Sequence, residues 1–128
     1  MNRRKTLIAV AIAGGVLALS VAVLWHLQTM ASPFDRTIWH QGEQGKFSLD
    51  APRLRMADGL IRSHILIGKT RSELEAMLGP ATRTDKFRDY GLVYWLGAER
   101  GFMSIDSEWL VIRIDKSNKA FEASIVSD

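Results

Sequence analysis

The chain has 128 residues, no cysteine, 47% hydrophobic residues and a formal charge of +3 at pH 7. This length favours one globular domain, and the absence of cysteine excludes disulfides, thiolate metal sites, thiol nucleophiles and lipid attachment through cysteine. The net charge does not indicate a nucleic-acid partner: three basic residues lie near the N-terminus, and from residue 35 onwards 14 of the 17 basic residues balance all 14 acidic ones.

The N-terminal region has the pattern of a membrane anchor. Residues 7–25 (LIAVAIAGGVLALSVAVLW) carry no charge, and as a helix they span roughly 28 Å, about the hydrocarbon thickness of a bilayer. The tail before them, residues 1–6, contains three basic residues: Arg3, Arg4 and Lys5. By the positive-inside rule we expect this tail to stay in the cytoplasm, with Trp25 at the headgroup level and the rest of the chain exported.

A cleaved signal peptide has the same polarity and is the open alternative. Its apolar core usually runs for about 7–15 residues and ends at a site of small residues. The apolar run here is longer, and the nearest such site, residues 29–31 (TMA), matches poorly. We therefore expect a single-pass protein of the bacterial inner membrane with a periplasmic C-terminal domain.

Residues 26–52 are predicted to be a linker between the anchor and the domain. Their polar stretches are interrupted by turn-forming residues: Pro33, Gly42, Gly45 and Pro52. Trp39 and Phe47 are the sizeable apolar side chains that we expect either to dock on the domain or, for Trp39, to lie in the membrane interface.

Two short helices are expected to open the folded part of the chain, residues 53–128. The first runs from residue 52 to residue 67, where apolar residues recur at helical spacing: Leu54, Ala57, Ile61 and Ile65. The second begins at a capping box formed by Thr70 and Glu73. It ends at Gly79, which can adopt a left-handed conformation, and Pro80 prevents its continuation.

The hydrophobic period then changes from 3.6 to 2, which predicts three strands over residues 92–96, 109–114 and 120–126. On the third strand, Phe121, Ala123 and Ile125 are expected to face the core. The polar residues 115–119 have the length of a hairpin turn. We therefore predict an α+β fold in which two short helices pack on a three-stranded antiparallel meander, preceded by one transmembrane helix.

Several short motifs resemble the SmpA/OmlA (BamE-like) domain, a small α-α-β-β-β unit of bacterial cell-envelope proteins. The resemblance covers roughly residues 53–128. The matching segments are Leu66-Ile67-Gly68-Lys69-Thr70, Glu73-Leu74, Leu78-Gly79-Pro80, Asp89-Tyr90 and Leu110-Val111-Ile112. The family motif G-x-T/S-x-x-E-L/V-x-x-x-L-G-x-P is met except at its end, where Ala81 follows Pro80.

The resemblance implies a non-enzymatic scaffolding role that depends on binding another envelope protein. The best-known member is a lipoprotein of the outer-membrane β-barrel assembly machine, but this chain has no lipobox cysteine, so lipoprotein attachment is not expected. Proteinaceous β-lactamase inhibitors have a similar α-α-β fold. A signal-cleaved periplasmic or secreted inhibitor or immunity-type protein is therefore the alternative function.

No constellation of residues indicates catalysis, a metal site or a cofactor. The three histidines, His26, His40 and His64, lack the spacing that metal ligands favour. The acidic segment 106–108 lacks the turn glycine and distant glutamate of a calcium loop. We expect a protein that is not an enzyme, with an envelope enzyme of unrecognised site as the remaining hypothesis.

Two groups of apolar residues are candidate partner contacts. The first group lies in the connection over residues 97–108, which is long for a hairpin: Phe102, Met103 and Ile105. The second consists of aromatic strand residues that would form a platform if the sheet face opposite the helices is open: Tyr94, Trp95 and Trp109. For the loop residues, folding back over the end of the core stays open as an alternative.

Overall fold

The computed structural model describes residues 3–29, 31–42, 51–100 and 105–128. The chain forms two compact units, Met1–Met30 and Ala31–Asp128. The first unit contains one helix, α1 (Arg3–Thr29). Its segment Arg3–His26 is long and apolar enough to cross a membrane, and the apolar stretch of this segment is not buried by other parts of the chain. The Ser20 hydroxyl donates to the Val16 carbonyl at 2.9 Å, so the single hydroxyl of the run is satisfied within the helix.

The second unit has the predicted α+β architecture, in which helices pack on a three-stranded meander. Its elements are α2 (Arg36–Gln41), α3 (Pro52–Arg62), α4 (Arg71–Leu78), β1 (Leu92–Ala98), β2 (Ser107–Ile114) and β3 (Ala120–Ser127). The strand order is β1-β2-β3, and both strand pairs are antiparallel. The turn between β2 and β3 is closed by a hydrogen bond in which the Asp115 amide donates to the Lys119 carbonyl at 2.9 Å.

The segment that precedes α3 is part of the folded unit, which differs from the linker predicted over residues 26–52. Asp35 caps α2 by accepting from the Ile38 amide at 3.0 Å. Trp39 on this helix is fully buried, and its indole N–H donates to the Leu78 carbonyl at 2.9 Å. The free energy gained by burying an indole ring explains why a short polar helix docks here.

Helix α3 is shorter than the predicted helix over residues 52–67. It ends at Arg62, and His64 has a φ of 54°, in the left-handed region that a continuing helix excludes. Leu54 and Ala57 are buried as expected, but Ile65 lies beyond the helix and is 47% exposed. The helical stripe thus ends one turn early, because the backbone leaves the helical conformation before Ile65.

The capping box predicted for α4 is confirmed, whereas Gly79 ends the helix in a conformation other than the left-handed helical one that was predicted. The Thr70 hydroxyl accepts from the Glu73 amide at 3.2 Å, and the Glu73 carboxylate accepts from the Thr70 amide at 3.1 Å. Gly79 has a φ of 81° and a ψ of −174°, a conformation that is essentially restricted to glycine.

The main core lies between the helices and one face of the sheet. Its fully buried side chains include Leu54, Leu74, Leu78, Leu110 and Ile112. Each such side chain contributes about 1.5–3 kcal/mol by leaving water. Short helices that would not persist alone are therefore held by the packing of their apolar faces.

One strand residue faces the opposite way from the prediction. Ala123 and Ile125 pack against the main core, but Phe121 is 54% exposed. The pairing of β2 with β3 shifts register between Arg113 and Ile114, so that Ala120 lies opposite Ile114. Because a bulge inserts one extra residue, Ala120 is buried in the core and Phe121 faces solvent.

Candidate functional site

The aromatic residues predicted as a platform lie on two different faces of the sheet. Tyr94 is fully buried on the helix side, where its hydroxyl donates to the Gly79 carbonyl at 2.9 Å. Trp109 is 7% exposed and forms a second cluster on the other face, with Trp95 partly buried beside it. They do not form one surface, so the predicted platform is not assembled as an open patch.

The second sheet face is covered by the segment between α4 and β1. Phe87 packs on Trp109 with ring centroids 5.8 Å apart, and Arg113 lies over the Tyr90 ring at 4.8 Å. Lys86 forms an ion pair with Asp128. A sequence rich in charged and turn-forming residues gave no indication of this cover, whose apolar contacts depend on the few aromatic residues within it.

The free edge of β1 is also occupied. The Thr82 amide donates to the Val93 carbonyl at 2.8 Å, and the Trp95 amide donates to the Thr82 hydroxyl at 2.9 Å. Arg53, 1% exposed, donates from Nη1 to the Trp95 carbonyl at 2.9 Å. Covering an edge strand in this way prevents another strand from pairing with it.

Buried Arg53 also joins α2 to α3. Its Nε donates to the Trp39 carbonyl at 2.6 Å, and its guanidinium lies 4.7 Å from the centroid of the Trp39 ring. A cation over an indole face adds an attraction of about 0.5–2 kcal/mol. No local pattern of residues indicates this role, since an arginine near a helix start is usually solvated.

A shallow pocket lies between α2, the start of α3 and the end of β1. Its described lining includes Ile38, Gln41, Pro52 and Trp95, and Arg53 is the only titratable side chain among the described residues there. The Arg53 guanidinium itself donates to two carbonyls. Since it is the single titratable side chain of the described lining, the lining contains no pair of acid and base groups of the kind that general acid–base catalysis uses.

The base of the β1–β2 loop is held by a cluster of charges. Arg100 donates from Nε and Nη2 to the two carboxylate oxygens of Glu108, at 3.0 and 2.7 Å. It donates from Nη1 to Asp58 of α3 at 2.5 Å. The Glu99 amide also donates to the Asp106 carbonyl at 2.8 Å. We call the three charged residues of this cluster, Asp58, Arg100 and Glu108, the loop clamp.

The loop clamp keeps its arginine charged. Burial acts to lower the pKa of Arg100, but the hydrogen bonds and charges of Glu108 and Asp58 outweigh it and raise the pKa above its ordinary value. The paired geometry with Glu108 is bidentate, the arrangement that makes arginine–carboxylate contacts strong and directional.

One sequence signal could have identified the loop clamp. Glu108 has the same alternation as Leu110 and Ile112, which point into the main core. A carboxylate on a core-facing position is buried only with a partner, and Glu108 is indeed 6% exposed.

The loop that carries the other predicted contacts is described only at its ends. Ile105 is 85% exposed, while Phe102 and Met103 lie outside the described residues. The histidines are on separate elements: His26 on α1, His40 on α2 and His64 in the turn after α3. In the described part of the chain, no group of three histidine or acidic side chains could hold a metal ion.

Comparison with known proteins identifies no relative. No family model matches the chain, and neither the curated proteins nor the solved structures contain a significant match. The resemblance to the SmpA/OmlA domain therefore stays a prediction from the motifs.

Proposed function

We propose that this protein is a membrane-anchored, non-enzymatic protein-binding domain of the bacterial cell envelope, related to the SmpA/OmlA domain. In this proposal α1 stays in the inner membrane and the unit Ala31–Asp128 lies in the periplasm. The order α3-α4-β1-β2-β3 agrees with the α-α-β-β-β arrangement that the resemblance implies. The capping box at Thr70 begins α4 and Gly79 ends it, at the positions where the motif has these residues.

The observation that carries the binding role is the presentation of the β1–β2 loop. Ile105 is 85% exposed, and the strand ends on both sides of it are held by Arg100 and Glu108. Exposure of a branched aliphatic side chain to water is unfavourable, and its burial by a partner lowers the free energy of the complex. Because the base of the loop is already ordered, less conformational entropy is lost on binding.

The loop can be tested by capturing partners with the full chain in solubilised envelopes. Ile105→Asp places a charge where an apolar contact is proposed and should lower recovery of the bound protein at least tenfold, which corresponds to about 1.4 kcal/mol. Ile105→Val keeps the apolar contact and serves as the matched control. Equal recovery with Ile105→Asp and with Ile105→Val would exclude this residue from the interface.

The proposed orientation depends on the charges that flank α1. Arg3, Arg4 and Lys5 precede the apolar run, and no basic residue follows until Arg36. Such an asymmetry favours retention of the N-terminus in the cytoplasm. A reporter that works only outside the cytoplasm should therefore be active when it is fused after Asp128. If only a reporter that works in the cytosol is active at this position, the proposed orientation is contradicted.

The alternative function is an exported inhibitor that is released when the N-terminal segment is cleaved. A signal sequence passes the same test of length and apolarity as α1. The exposed Ile105, beside the loop base held by Arg100 and Glu108, would then be part of the inhibitory contact. A mature chain that begins near Ser32 would favour this alternative over the anchor.

A further inference from the structure

One end of the folded unit combines exposed apolar side chains with basic side chains that form no ion pair among the described residues. Two segments meet there, the turn after α3 and the β2–β3 turn with the start of β3. The apolar residues are Ile65, Ile67 and Phe121, and the basic residues are Arg62, Lys69, Lys116 and Lys119. We call this set the basic–apolar end, and we propose that it docks on the surface of an anionic lipid bilayer.

Backbone hydrogen bonds bring the two segments side by side. The Gly68 amide donates to the Ala120 carbonyl at 2.8 Å, and the Ala120 amide donates to the Lys69 carbonyl at 2.8 Å. Thr70 and Lys119 form an antiparallel bridge. Ile67 and Phe121 directly flank these bonds, so residues far apart in sequence contribute to one end of the molecule.

The apolar part of this end is solvent-exposed. Ile65 is 47%, Ile67 42% and Phe121 54% exposed. The exposure of Phe121 is enforced by the bulge that shifts β3 against β2 between Arg113 and Ile114. The bulge turns a phenylalanine out of the core and so adds apolar surface to this end of the unit.

Four basic side chains lie at this end beside three acidic ones, Glu73, Asp115 and Glu122, of which Glu122 pairs with Arg113 at 3.6 Å. Residues 61–71 contain three basic residues and no acidic one. Arg62, Lys69, Lys116 and Lys119 form no ion pair with another residue in the described ranges. The nearest acidic residue in the turn, Asp115, accepts from the Ser117 and Lys119 amides at 2.8 and 3.0 Å.

This combination fits a lipid surface better than a nucleic acid or a protein. Isoleucine and phenylalanine side chains can enter the boundary between headgroups and acyl chains, while nearby cations contact anionic headgroups. The choice of a lipid bilayer as the partner of this end rests on the proposed function, because a chain anchored by α1 keeps the folded unit at a high effective concentration near the bilayer. Weak docking is then sufficient to orient the unit.

The test uses the full chain in nanodiscs of phosphatidylcholine, either alone or with about one third phosphatidylglycerol. The chain has no cysteine, so Ser117→Cys in the β2–β3 turn can carry a single environment-sensitive dye. The matched control is Asp85→Cys, whose position lies outside this end with a side chain 94% exposed. Quenching by lipids with spin labels near the headgroups reports contact of each dye with the membrane.

We expect quenching of the dye at position 117 in the anionic discs. We expect no quenching of this dye in the neutral discs, and none of the dye at position 85 in either kind of disc. Lys69→Gln with Lys119→Gln should lower the ratio of docked to undocked molecules about 30-fold, since each cation near an anionic surface contributes roughly fivefold. Salt at about 1 M should have a similar effect through screening. Phe121→Asp should also abolish quenching.

Other results would overturn the proposal. A dye at position 117 that stays in water in both kinds of disc would exclude lipid docking. Equal quenching in neutral and anionic discs would overturn the proposed preference for an anionic surface. Burial of this dye only after an envelope extract is added would assign the basic–apolar end to a protein. If α1 proves to be cleaved, the anchor fails separately, and the mature chain mixed with anionic vesicles still decides whether this end binds lipid.

Discussion

Replacement of Trp39 by alanine should destabilise the folded unit more than any other change in the segment before α3. The ring is fully buried, and truncation of a buried tryptophan costs about 3–5 kcal/mol. The change also removes the partner of the Leu78 carbonyl at 2.9 Å and the ring beneath the Arg53 guanidinium at 4.7 Å. We therefore expect a loss of unfolding free energy of about 4 kcal/mol, a large share of a small domain's stability.

The assay is chemical denaturation of the full chain in mild detergent, followed by the near-ultraviolet circular dichroism of the remaining tryptophans. Trp39→Phe keeps most of the apolar area and loses the indole N–H, so it should cost about 1–2 kcal/mol. Trp25→Ala is the control, because Trp25 lies in the other unit and is 57% exposed. A Trp39→Ala variant within about 0.5 kcal/mol of the wild type would refute the assignment of α2 to the folded unit.

Three further changes test local features by the same denaturation assay. Thr70→Ala removes the cap of α4 and should cost about 1 kcal/mol, whereas Thr70→Ser should cost much less. Gly79→Ala forces a side chain onto a φ of 81° and should cost more than about 1 kcal/mol, with no loss showing that the turn relaxes. Arg100→Met leaves Glu108, only 6% exposed, without its cation and should cost about 2–3 kcal/mol, most of which Arg100→Met with Glu108→Leu should recover. Because the pKa of Arg100 is raised in the folded state, its stabilisation is present at all pH values below its unfolded pKa, so the titration of this arginine should cause no change in the wild-type unfolding free energy between about pH 6 and pH 9.

The sequence predicted those features whose signals are local. The capping box at Thr70 and Glu73 is specified within four residues, and the structure has both of its bonds. The three strands and the turn between β2 and β3 also follow from short alternating patterns and polar turn residues. Such features need no information about distant parts of the chain.

The features that were missed depend on contacts between distant residues. Trp39 contacts the end of α4, 39 residues away, and the surrounding polar residues resemble a linker. Phe121 changes face because of a register shift between strands, which alternation alone does not reveal. The cover over Trp109 depends on Phe87, whose φ of 58° no pattern of hydrophobicity predicts.

The candidate site shows the same division. For Ile105, in a long loop, the sequence left exposure and folding back over the core as two open alternatives, and the side chain is 85% exposed. The contacts between Arg100 and Asp58, which order the base of that loop, join residues 42 positions apart. Tyr94 was grouped with Trp95 and Trp109 by residue type, although neighbouring strand positions face opposite sides of a sheet.

Alkaline carbonate extraction of envelopes, combined with the intact mass of the extracted and retained chains, tests the membrane anchor most directly. A helix that spans the bilayer stays with the lipid under these conditions. The account predicts that the chain remains in the membrane pellet with residues 7–25 still attached. A soluble chain that begins near Ser32 would contradict it, because α1 would then be a signal that is removed after export.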